Sequence, residues 1–304
     1  MITQALSSVR PRLSLSVAAW LVMLSVSVLP DALLDMLAIA SPPWVIWAKL
    51  GLLAIAAAST FAWSSLRPLR SFFLILLAIL AAELAVSRLG DSAILSRWLG
   101  NDAPFAAGML NTQFRRLSVS LLLIVVLLAL GFHRTEFFLA RGRLDAPIAP
   151  VRLLGFGRPI PWTQFGVQWS IYIAIGLLAF LMFIGRPSGA ALLQALPLLP
   201  IVFILAAMNA FNEEMTYRST LLAGLEAVVG GRQALWISAA FFGLGHYFGV
   251  PYGWVGVGMA AFLGWMLGKA MLETRGFFWA WFIHFVQDVL IFYFMAAGSI
   301  APGG

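Results

Sequence analysis

The stretch FNEEMTYRS, residues 211–219, places Glu213, Glu214 and Arg218 at the end of a long apolar run. On a helix, Glu214 and Arg218 lie four residues apart and share a face, with the acid before the base, which is the favourable order. Glu213 projects about 100° away, so the arginine can hold one carboxylate while the other stays free for chemistry. Two further polar groups interrupt apolar runs downstream. In FFGLGHYFG, His246 follows Phe242 by four residues; in WFIHFVQDVLIF, His284 and Asp288 share a face, whereas Gln287 points elsewhere. A glutamate and two histidines facing one cavity could activate a water, either as a general base with polarising partners or as metal ligands. Taken one at a time, each piece also has a plain structural reading. The glutamates and arginine can sit in headgroup water, and each histidine can be a satisfied structural residue, His284 with Asp288. Glu83 and Glu226 are the other carboxylates within apolar stretches.

The elements that must carry these groups follow from composition. The 304 residues are 62% hydrophobic and only 10% charged, with a mean hydropathy of +0.95. Soluble domains carry roughly 25% charged residues, so the expected fold is all-α, a polytopic transmembrane bundle of eight or nine membrane helices. Spans are expected at about 13–30, 44–63, 71–87, 117–132, 164–185, 190–211, 233–249, 252–270 and 276–297. Their continuous apolarity lacks the alternation of barrel strands. There is no cysteine, so disulfides, thiolate metal sites and cysteine nucleophiles are excluded. The net charge of +7 comes from short Arg clusters between spans, which fits topology signals and not a nucleic-acid surface.

With nine spans and a cytoplasmic N-terminus, Arg10, Arg12, Arg67, Arg70 and the basic loop 133–163 fall on the cytoplasmic side. The apolar stretch after Arg12 is read as an uncleaved first span and not a signal peptide. Arg115 and Arg116 are the awkward pair, placed outside by this count or snorkelling at a helix end. The segment before them, from Ser87, reads as an interfacial helix plus loop. No internal repeat is visible, which argues against a transporter built from inverted repeats. Residues 1–163 are expected to form an N-terminal extension of about four helices, and 164–304 a catalytic helical core.

Taken in order, Glu213-Glu214-x-x-x-Arg218, Phe242-x-x-x-His246 and His284-x-x-x-Asp288 resemble the three-motif signature of the CPBP family. This family comprises CAAX-protease and bacteriocin-processing intramembrane proteases, Rce1-like enzymes among them. The resemblance covers roughly residues 164–297. It implies Glu213 as the base that activates water, His246 helping to hold it, and His284 with the residue at 288 stabilising the oxyanion. Glu214 and Arg218 would brace the site. Eukaryotic members carry Asn where this chain has Asp288, which could donate to an oxyanion only when protonated. Orientation of His284 by Asp288, keeping one tautomer, is the preferred role.

The expected function is therefore an intramembrane endopeptidase in a bacterial cytoplasmic membrane, using a glutamate-activated water. Its substrate would be a membrane-anchored peptide or protein with a hydrophobic or lipidated segment. No HExxH or GxSxG motif is present, nor paired intramembrane aspartates. No cofactor is expected to be required; if a metal such as zinc were used, Glu213, His246 and His284 would hold it. The alternatives are a non-catalytic immunity or scaffold protein of the same fold, and a transporter.

Overall fold

The computed structural model describes residues 13–90, 105–151, 154–155 and 157–298. Arg10, Arg12, Asp91, Asp102 and Arg152 lie outside the described residues. Within them the chain is helical: α1 Leu13–Val26, α2 Leu29–Met36, α3 Val45–Ala62, α4 Arg70–Gly90, α5 Phe105–Ala129 and α6 Trp162–Gly185 come first. They are followed by α7 Gly189–Ala195, α8 Leu199–Glu213, α9 Thr220–Val229, α10 Gly231–Gly245, α11 Trp254–Thr274 and α12 Phe278–Ala296. Helices are the economical answer in a bilayer, because each satisfies its own backbone hydrogen bonds without water. The outward surfaces are apolar in helical register: Val167, Ile171, Ile175, Leu178 and Met182 form one exposed stripe along α6.

Among the described residues, seven helices are long and apolar enough to cross a membrane, or eight if the bent pair α1–α2 counts as one span. Eight or nine were expected, so the upper count meets the expectation, and the boundaries that differ do so for physical causes. The first expected span breaks between Val26 and Leu29 and bends by 54° into α2, with Pro30 in the first turn of α2. The expected span at 233–249 is α10, of 15 residues, about 22 Å long against a core of about 30 Å. The expected span at 190–211 instead runs from Gly189 to Val229. Phe105 to Arg116, read as the tail of an interfacial segment, belongs to the 25-residue helix α5. Two spans, α4 and α5, separate Arg67 and Arg70 from the loop after α5, so these basic segments share one side whichever count holds.

The larger of two buried apolar clusters among the described residues draws on both halves of the chain, with Phe72, Leu76, Leu123, Phe165, Met215, Leu222, Met266 and Ile283 all buried. The loop between α5 and α6 is sewn to the α11–α12 turn. Arg143 N donates to Thr274 O at 2.8 Å, and Phe277 N donates to Ala140 O at 2.8 Å. Two glycines allow this approach: a Cβ on Gly142 would lie 2.7 Å from the Cα of Gly276. Glu273, paired with Lys269, accepts from Trp162 Nε1 at 2.9 Å and so ties the start of α6 to α11.

Candidate active site

Between α8 and α9 the helix does not stop but widens into a π turn, Glu214–Ser219. Such turns are uncommon and cluster at functional sites. The turn carries Glu214 and Arg218, and Glu213 is the last residue before it. Arg218 is fully buried and donates from Nη1 to Glu214 Oε1 at 2.8 Å, so the pairing expected from the four-residue spacing is present. Its guanidinium also lies 3.5 Å from the centre of the Phe242 ring, a cation–π contact. Gly264 on α11 leaves room for it, since a Cβ there would be 3.2 Å from Arg218 Nη2.

Helix α12 brings His284 against this turn. His284 Nδ1 is 2.7 Å from Glu214 Oε1, and Nε2 is 3.6 Å from both Glu213 Oε2 and Asp288 Oδ2. The hydrogen bond that orients the ring therefore involves Glu214, where Asp288 had been expected. Asp288 instead accepts from Asn209 Nδ2 at 3.0 Å. His284 Nδ1 thus meets the Glu214 carboxyl group, and Nε2 faces both Glu213 and Asp288.

Four of the six residues singled out from the sequence, Glu213, Glu214, Arg218 and His284, are thus in one connected cluster, with Asp288 at its edge. His246 stands apart. It ends α10, its Nδ1 is 2.8 Å from the carbonyl of Phe242, and its ring packs on Phe242 with centroids 4.3 Å apart. Phe242 also meets His284 edge-on at 6.2 Å, so one aromatic ring spaces both histidines and the arginine. The loop beyond His246 is fastened to α2: Tyr247 and Tyr252 both donate to Asp35. The hydrogen bond to Asp35 pushes the Tyr252 hydroxyl up to about 12.

Of the remaining intramembrane carboxylates, Glu226 pairs with the half-exposed Arg275 and takes no part in the cluster. Glu83 accepts from Tyr217 Oη at 3.0 Å and lines the same cavity as Glu213. That cavity, of about 550 Å³, is walled also by Arg115, Arg116, Thr112 and Thr216.

Sequence reasoning missed the polar seam between α5 and α8. Arg116 Nη1 donates to Glu213 Oε1 at 2.7 Å and to Asn209 Oδ1 at 2.6 Å. Gln113 Nε2 donates to Asn209 Oδ1 at 3.0 Å, and Asn212 Nδ2 donates back to the Gln113 carbonyl at 3.1 Å. Asn209 Nδ2 reaches Glu213 Oε1 at 3.2 Å. The pair that looked misplaced is explained here. Arg116 turns into the protein, and Arg115 caps the carbonyls of Val86 and Ser87 near the end of α4. The available signal was spacing: Gln113, Arg116 and Ser120 recur on one face of an apolar helix, as do Asn209, Asn212, Glu213 and Thr216.

Among the described residues no three His, Asp or Glu side chains are placed to hold one metal ion. The set Glu213, His246 and His284 does not converge as a ligand shell, and no step below passes through a metal.

Residues 195–290 match the family model described as type II CAAX prenyl endopeptidase Rce1-like, so this segment is similar to that family. All three motifs lie inside the match, and α1 to α6 lie before it. No curated protein and no solved structure shows significant similarity. The apolar helices fit an integral membrane protein, and the matched segment is similar to the type II CAAX prenyl endopeptidases of the family model.

Proposed function

We propose that the protein is a glutamate-dependent intramembrane endopeptidase. The observation that carries this reading is Glu213 Oε2, on the wall of a cavity and 3.6 Å from an imidazole nitrogen whose ring is held by a buried Glu214–Arg218 pair. The separation exceeds a hydrogen bond, yet one water can touch both atoms at about 2.8 Å.

In this mechanism Glu213 takes a proton from that water as the oxygen attacks the carbonyl carbon of the scissile bond. The carbonyl π pair moves to its oxygen, giving a tetrahedral oxyanion. In its protonated form His284 donates Nε2–H to that oxyanion, and its orientation is already fixed before substrate arrives. Glu213 then passes its proton to the leaving nitrogen, the C–N bond breaks, and the carboxylic product and the amine separate. His246, at the end of α10, would contact substrate or water from the other side of Phe242. Asp288 holds Asn209 and faces His284. The substrate is a membrane-anchored peptide with a hydrophobic or lipidated segment, and the setting a bacterial cytoplasmic membrane, as the Ala-rich and Arg-over-Lys composition suggests.

The test is cleavage of membrane-anchored peptides by the protein in liposomes, alongside the peptides that accumulate in a Glu213→Ala strain. Glu213→Ala and His284→Ala should abolish cleavage while insertion into membranes is unchanged. Full peptidase activity in both variants would overturn the assignment and favour a non-catalytic role.

A further inference from the structure

We infer that Arg116, on a helix outside the Rce1-like segment, is the positioning residue that assigns different tasks to the two oxygens of Glu213. This rests on the reading of Glu213 as the base. A glutamate has three side-chain torsions and two equivalent oxygens, so a base that must meet one water needs a partner that breaks this symmetry. Here Oε1 receives Arg116 Nη1 at 2.7 Å and Asn209 Nδ2 at 3.2 Å, while Oε2 is left facing His284 Nε2 at 3.6 Å.

Arg116 is itself aimed. The same Nη1 donates to Asn209 Oδ1 at 2.6 Å, and Asn209 is further held by Gln113 and Asp288. The ion pair is asymmetric in exposure: the Arg116 side chain is 48% accessible and that of Glu213 only 13%. The guanidinium lies on the cavity wall, and the carboxylate is the more sheltered partner. An arginine that only closed the helix seam would have no need to reach past Asn209 to Glu213. Gln113, Asn212 and Ser120 already join α5 to α8. The Rce1-like segment, residues 195–290, therefore does not by itself contain everything that positions its proposed base.

Two measurements test this, one of them independent of peptidase activity. Dicyclohexylcarbodiimide, an apolar reagent that adds to protonated carboxyl groups, a form that a cationic partner disfavours, is applied to the full chain in detergent. Labelling of Glu213 is then read by mass spectrometry of its peptide. Arg116→Gln is expected to raise labelling several-fold over wild type, and Ser118→Ala, on the exposed face of α5, to leave it unchanged. Equal labelling of Glu213 in wild type and Arg116→Gln would overturn the inference, whatever the chemistry of the site.

In the liposome cleavage assay, Arg116→Ala should lower kcat by about 10²-fold, the usual penalty for a displaced catalytic group, with KM little changed. Arg116→Lys, or added guanidinium with Arg116→Ala, should recover part of it. A purely structural role would lower expression or raise KM without such recovery, and that outcome also overturns the inference. If Glu213→Ala retains full activity, the peptidase reading fails instead, and labelling still decides whether Arg116 holds Glu213.

Discussion

The Glu214–Arg218 pair allows stability and catalysis to be separated. Both side chains are fully buried, and Glu214 Oε1 serves two donors, Arg218 Nη1 at 2.8 Å and His284 Nδ1 at 2.7 Å. Arg218→Met leaves Glu214 charged with only the histidine as partner. Glu214→Met leaves the guanidinium with only the Phe242 ring. Breaking a buried pair from one side costs about 3–5 kcal/mol, a large share of the 5–15 kcal/mol typical of a folded protein. Replacing both by Met removes both charges and keeps the volume, and such swaps are often neutral or stabilising. The double variant should therefore lie within about 2 kcal/mol of wild type, and the cycle should return a coupling of about 4 kcal/mol or more. Equilibrium titration with SDS in mixed micelles measures all four proteins. Cleavage should not return with stability, because the double variant still lacks the acceptor for His284 Nδ1. A double variant as unstable as the worse single one would refute the argument, and so would recovery of full activity.

Beside the Glu213, His284 and Arg116 variants described above, two further outcomes are expected. Asn209 needs an acceptor at position 288, which an asparagine also offers. Asp288→Asn should therefore retain cleavage within about tenfold, whereas Asp288→Leu should lose about 1–3 kcal/mol of stability through the stranded amide. Cleavage by Asp288→Asn no better than by Asp288→Leu would show that the carboxylate itself is needed. Because Glu213, His246 and His284 do not converge as ligands, prolonged chelation should leave cleavage unchanged. Loss on chelation with restoration by zinc would assign the metal reading instead.

What could be read from the sequence was local. Glu214 and Arg218 meet because four residues along a helical stretch bring side chains together whatever the rest of the chain does. The all-helical architecture followed from apolar run lengths in the same way. Arg116 and Glu213 meet across 97 positions, and no periodicity in either helix announces the other. The exchange of Glu214 for Asp288 as the partner of His284 Nδ1 is also tertiary, since it depends on how α12 is turned against the π turn. Span placement differed where length and hydropathy disagreed: the residues of α10 are apolar but fold into a helix of 15.

That short helix bears on the membrane itself. Beyond α10 the chain carries exposed Phe248, Tyr252 and Trp254, the residue types that settle at the headgroup level, while non-helical backbone is tolerated at depth only where protein or water satisfies it. A helix about 8 Å shorter than the hydrocarbon layer asks the lipid around it to thin. Thinning of that kind would draw the headgroup layer inward beside His246 and Phe242. Water would have less hydrocarbon to cross on its way to Glu213, and a peptide anchored in the bilayer could present a bond near its anchor without leaving the lipid. Bilayer thickness would thereby become a variable of the proposed peptidase, and longer acyl chains in the reconstituting lipid should slow cleavage.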